Sequence, residues 1–144
     1  MKVSRMLDRK GYDVVTIGPR NSVAEAVKLL VEKDIGSAVV VDGETIRGIL
    51  TERDVLRLTD RDPSRLGELP VEEAMTSELI VANMDDTVEA LMEVMTRNRV
   101  RHLPVLEEGR LRGLVSIGDV VNALRRNAEE ENQHLRSYVQ GTVR

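Results

Sequence analysis

The 144-residue chain has no cysteine, no phenylalanine and no tryptophan, and only two tyrosines and two histidines. Each absence removes a class of function. Without cysteine there are no disulfides, no thiolate metal sites and no cysteine nucleophile. His102 and His134 stand at no metal-binding spacing. Without Phe or Trp the aromatic platforms that stack single-stranded bases are missing, and the core has to be built from Val, Leu, Ile, Met and Ala. Residues Met1 to Met6 hold no apolar run of signal-peptide length. No stretch approaches a membrane span, so no membrane partner is expected and the expected setting is cytoplasmic. The net charge of −4 argues against a broad phosphate-backbone footprint, hence against a nucleic-acid partner. No Walker loop, GxGxxG fingerprint or nucleophile–base pair is present, so no catalytic residue, metal or catalytic cofactor is expected and the chain reads as a non-enzyme.

What the chain does have is a repeat. Gly48-Ile49-Leu50-Thr51-Glu52-Arg53-Asp54 returns as Gly113-Leu114-Val115-Ser116-Ile117-Gly118-Asp119, an offset of 65 residues. The offset carries Val23 to Val88, Val40 to Val105, Arg47 to Arg112 and Val55 to Val120 without a gap. Two copies of a unit this long imply two similar half-domains packed together rather than a solenoid.

Each half reads strand–helix–strand–strand–helix. Val14 to Ile17 is β-branched and short, a strand. Ser22-Val23-Ala24-Glu25 has capping-box spacing, and Val23, Ala26, Val27, Leu30 and Val31 follow at helical period to about Lys33. Ser37 to Val41 and Ile46 to Leu50 are strands joined by an Asp42-Gly43 turn. Thr51 opens a helix to about Thr59. The second half repeats the order, with strands at Ile80 to Ala82, Leu103 to Leu106 and Leu111 to Val115, and a turn at Glu108-Gly109. The expected division is a first motif over 9–62, a linker over 63–74, a second motif over 75–127 and a helical extension over 128–144. Met6 and Met75 are expected to correspond, each preceding its half. In the extension Val121, Leu124, Ala128, Leu135 and Tyr138 form an amphipathic stripe. It either docks on its own subunit or packs on a second chain.

Thr51-x-x-Asp54 and Ser116-x-x-Asp119 stand where a strand ends and a helix begins. A helix N-terminus attracts anions through free N–H groups and its dipole. A carboxylate there can accept from both hydroxyls of a ribose. The same pattern is also a helix cap, and the two roles are compatible.

Two tandem units ending Gly-x-x-Thr/Ser-x-x-Asp, with Val-Thr-Ile-x-Pro at 15–19 and Arg-His-Leu-Pro-Val at 101–105, resemble the cystathionine-β-synthase (CBS) domain pair. The resemblance runs from about Met6 to Arg126. It implies an α/β (α+β) fold of two pseudo-symmetric motifs, each a three-stranded sheet with two helices. It also implies a homodimer and an adenosyl ligand such as AMP, ADP, ATP, NAD or S-adenosylmethionine. Carried over residue by residue, it implies two clefts. One would use Thr51, Asp54, Ile80, Val100, Arg101 and His102. The other would use Ser116, Asp119, Val15, Ile35, Gly36, Ser37 and Arg53. The aliphatic residues would sandwich the adenine, although Val15 and Ile80 taken singly also read as core. Arg101 suits phosphate, and otherwise reads as a solvated charge; His102 otherwise reads as a structural histidine. Because Gly118 replaces Arg53 and Gly36-Ser37 replace Arg101-His102, the two clefts differ in charge. The function implied is a regulatory module that senses a nucleotide and signals through dimer shape or a protein partner. The alternative is a ligand-free interaction module working through its C-terminal helix.

Overall fold

The computed structural model describes the backbone of residues 1–141 and the side chains of residues 1–136. Two three-stranded sheets carry the chain. The first sheet holds β1 (Thr16–Ile17), β2 (Ser37–Asp42) and β3 (Thr45–Thr51); the second holds β4 (Ala82–Asn83), β5 (His102–Glu107) and β6 (Arg110–Ser116). In each sheet the short strand pairs parallel to the middle one, and the middle one pairs antiparallel to the third. Helices α2 (Val23–Lys33) and α3 (Glu52–Arg61) complete the first half, and α5 (Val88–Asn98) and α6 (Ile117–Gly141) the second. This is the α/β architecture expected.

The elements follow from local chemistry. Ser22 and Thr87 cap α2 and α5 by accepting from the N–H groups of Glu25 and Ala90. The full box expected at Ser22 is only half made, because the Glu25 carboxylate accepts instead from Asn21 Nδ2 at 2.6 Å. Both helices bury three residues at helical spacing, Val23, Ala26 and Leu30 in one and Val88, Leu91 and Met95 in the other. Both end on a left-handed residue, Asp34 (φ 53°) and Arg99 (φ 54°), which turns the chain into the middle strand. The hairpins differ. The second turns through Glu108 and Gly109, both at positive φ, as expected of a type I′ pair. The first pairs Asp42 with Thr45, so its central residues are Gly43 and Glu44, one position later than expected, and only Gly43 takes a positive φ.

Helices that the periodicity left unread precede each half: α1 (Val3–Lys10) and α4 (Val71–Ala74), the latter inside the stretch expected as linker. Each packs on the opposite half. Val3, Met6 and Leu7 are buried with Leu91, Met95 and Leu103 of the second half. Val71 is buried with Ala26, Val40 and Leu50 of the first. The backbone anchors match, with Val88 N–H donating to Met1 O at 2.9 Å and Val23 N–H to Leu69 O at 2.8 Å. This exchange ties the halves together. The motif glycines make room for it. A Cβ on Gly48 would stand 2.6 Å from Thr76 O and 2.7 Å from the Met75 sulfur, and one on Gly113 would stand 2.9 Å from Leu7 Cδ1. The packing counterpart of Met75 is therefore Leu7, one residue from the expected Met6.

α6 runs unbroken from Ile117 to Gly141. Leu124 packs on the second core, whereas Val121, Ala128 and Leu135 are exposed. The stripe does not fold back on its own body over these residues. Tyr138 lies outside the described side chains.

Candidate nucleotide cleft

Thr51 is extended (φ −116°, ψ 165°) and caps α3. Its hydroxyl accepts from Asp54 N–H at 3.2 Å, and its N–H donates to Asp54 Oδ2 at 2.9 Å. Thr76 donates its hydroxyl to Asp54 Oδ1 at 3.0 Å. Thr76 is held there by a two-way backbone pairing with Ile49. Asp54 is 6% exposed and so lies almost wholly inside this network. Glu52 N–H donates to Gly36 O at 3.0 Å. The first-turn N–H groups of Glu52 and Asp54 are thus satisfied within the protein. Two of the N–H groups expected to meet an anion are spent there, which leaves more of the anion recognition to side chains.

Those side chains ring a cleft of about 780 Å³ at the junction of the halves. Thr51, Asp54, Arg53 and Arg57 reach it from the first half, and Arg99, Val100, Arg101 and His102 from the second. Ile49, Leu56, Thr76 and Asn98 complete much of the wall. Leu56 is 70% exposed, an apolar surface offered to whatever enters. Burial lowers the His102 imidazole below its ordinary value, against the raising pull of Glu52, with Lys10 and Arg101 lowering it and Asp119 raising it. Its ring is therefore neutral near pH 7, and a phosphate beside it would draw a proton.

The residues expected for two clefts are distributed differently. Ile80 does not line this cleft but packs against the second core. Gly36 and Arg53, expected in the second cleft, line this one. A Cβ on Gly36 would meet Glu52 Oε1 at 2.3 Å, so the glycine leaves room for that side chain. Val15 and Ile35 pack against the first core, and Ser37 is 3% exposed. Ser116 caps α6 as Thr51 caps α3. Its N–H donates to Asp119 Oδ2 at 2.8 Å and its hydroxyl accepts from Asp119 N–H at 3.2 Å. Asp119 lines a separate hollow of about 190 Å³ between α1 and α6, with Met6, Arg9, Lys10 and Asn122. Burial would raise the Asp119 carboxyl, but the bonds from Lys10 and Ser116 and the charge of Lys10 outweigh it and hold it below its usual value.

Arg57, Thr76 and Leu56 line the cleft although nothing in the repeat marks them. Arg99 follows from the equivalence with Asp34, since a residue closing one helix must project beside the start of the next strand.

Among the described residues no helix is long and apolar enough to cross a membrane. The family model for the CBS domain matches twice, over residues 5–60 and 71–126. The CBS-domain containing protein ATU1752 from Agrobacterium tumefaciens is 44% identical, with a TM-score of 0.83, over 85% of this chain and 98% of that one. The mitochondrial CBS domain-containing protein CBSX3 of Arabidopsis thaliana is 36% identical over 84% of this chain, which spans 61% of that protein's length. The CBS domain pair of MJ0100, in complex with 5′-methylthioadenosine and S-adenosyl-L-methionine, is 23% identical with a TM-score of 0.76, over 88% of this chain and 98% of that one, a likeness of fold. The two matched segments coincide with the two copies of the repeat, and the chain belongs to the CBS domain family as a tandem pair.

Proposed function

We propose that the chain is a non-catalytic regulatory module that binds an adenosyl ligand (AMP, ADP, ATP or NAD) in the Asp54 cleft. The observation that carries this is one cavity of about 780 Å³ holding three kinds of group. Ile49, Leu56 and Val100 are aliphatic and suit an adenine. The Asp54 carboxylate, with the hydroxyls of Thr51 and Thr76, suits a ribose. Arg53, Arg57, Arg99 and Arg101, with His102, suit phosphates. The volume falls in the range of about 300–1,000 Å³ usual for small-molecule sites. The fold shared with MJ0100, whose pair holds adenosyl ligands, supports the ligand class. The output is a change in the shape of a homodimer or in affinity for a protein partner. It requires two states of unequal ligand affinity.

Thermal unfolding with AMP, ADP, ATP, NAD and S-adenosylmethionine tests this. A ligand at about 100 times its Kd stabilises by roughly 2.7 kcal/mol, which for a chain of this size is a shift of roughly 5–10 °C. A shift with one ligand class supports the reading. A folded protein that shifts with none of them sinks it, and favours the ligand-free module whose working part is α6, along which Leu135 is 61% exposed.

A further inference from the structure

Asp54 and Asp119 are equivalent in sequence and in their caps, but different groups meet them from the preceding helices. α4 stops at Ala74, and the chain turns to bring the Thr76 hydroxyl to Asp54. α1 continues further, to Lys10. Lys10 Nζ stands 2.6 Å from Asp119 Oδ2 and also donates to Leu114 O. The same Oδ2 accepts from Ser116 N–H. One residue earlier, Arg9 pairs with Glu130 at 3.3 Å. The last turn of α1 is therefore held on α6 by two ion pairs.

A ribose needs an acceptor oxygen for a neutral hydroxyl. At Asp54 the side-chain donors within hydrogen-bond distance are neutral hydroxyls, Thr76 on Oδ1 and Thr51 on Oδ2, which rotate and can accept as well as donate, while the Arg57 guanidinium stands off at 3.8 Å. At Asp119 the donor is an ammonium, which only donates and whose bond to a carboxylate is charge-assisted. A nucleoside hydroxyl cannot match it.

We propose that Lys10 is a specificity-determining residue. Its ammonium closes the Ser116/Asp119 position to a nucleoside, so each chain takes one adenosyl ligand, at the Asp54 cleft. This rests on the functional reading above. The cation acts as a built-in occupant, supplied by a helix that belongs in sequence to the other half.

The test is calorimetric titration of the full chain with AMP and with ATP, in the wild type, Lys10→Met and Lys10→Arg. The expected stoichiometry is one per chain in the wild type and in Lys10→Arg. It rises to two in Lys10→Met and returns to one when Asp119→Ala is added to Lys10→Met. Should Lys10→Met fail to fold, Lys10→Gln removes the charge while keeping a donor and serves the same comparison. A folded, charge-free variant that still binds one ligand overturns the proposal. So does a wild type that binds two, and if Lys10→Met then loses one, Lys10 is a phosphate ligand instead. Absence of binding in every variant is a different result, since it removes the functional reading itself.

Discussion

Asp54 and Asp119 occupy one position in two copies of one unit, each locked into a capping box by the residue three before it. Their surroundings diverge. Asp54, nearly buried itself, sits in the wall of a wide cleft lined by cations from both halves, and Asp119, more exposed, is paired with a lysine beside a small hollow between α1 and α6. The motif alone does not set this difference. It arises from segments outside the repeat, through the length of the preceding helix, and from single replacements within it, such as Gly36 against Arg101 and Gly118 against Arg53. A duplicated fold thus keeps its scaffold while its two sites separate in chemistry. The scaffold is symmetric because caps, hairpins and core positions are read locally. The sites are not, because each draws on residues from the other half.

The sharpest way to break this comparison is through the preceding helices. Leu7 is fully buried in the second core, while its counterpart Met75 is only partly buried. Leu7→Ala should cost about 2–5 kcal/mol, and Met75→Ala less, read from urea unfolding of each variant. Equal losses would mean that α1 and α4 are interchangeable and that the longer α1 carries no special load.

A smaller effect lies in pH. The folded-state value of His102 is depressed, so the unfolded chain takes up that proton first as pH falls. Stability from this group is present above the ordinary histidine value of 6.5 and is lost as pH drops through it toward the depressed folded value. Asp119 acts lower. Its folded value is depressed below 3.8, so its contribution is present above that pH and is lost as pH falls through the folded value. Between pH 7.5 and 5.5 the wild type should therefore lose stability that His102→Gln keeps. Glu52, Asp119, Lys10 and Arg101 all act on the imidazole, and parallel pH profiles in the two proteins would show that they cancel its burial.

Most of the fold was legible because the core-facing positions keep their period. Val23, Ala26 and Leu30 mark α2, and Val88, Leu91 and Met95 mark α5. α1 was not legible, since it is short, charged on one face, and earns its helix by inserting Val3, Met6 and Leu7 into a core more than seventy residues away in sequence. The site was legible in part for the same reason. Thr51 and Asp54, marked by the repeat, and Val100, Arg101 and His102, marked by the family resemblance, line one cleft. Ile80, Val15 and Ile35 are partly buried and pack against the two cores, where their apolar side chains gain from leaving water. No local pattern announces that Lys10 meets Asp119, because that contact spans the whole chain.

The most direct test of the inequivalent sites is titration of AMP and ATP into Asp54→Ala and Asp119→Ala beside the wild type. Asp54→Ala should abolish binding, while Asp119→Ala should retain it with little change in Kd. Binding lost in Asp119→Ala and kept in Asp54→Ala would contradict the account.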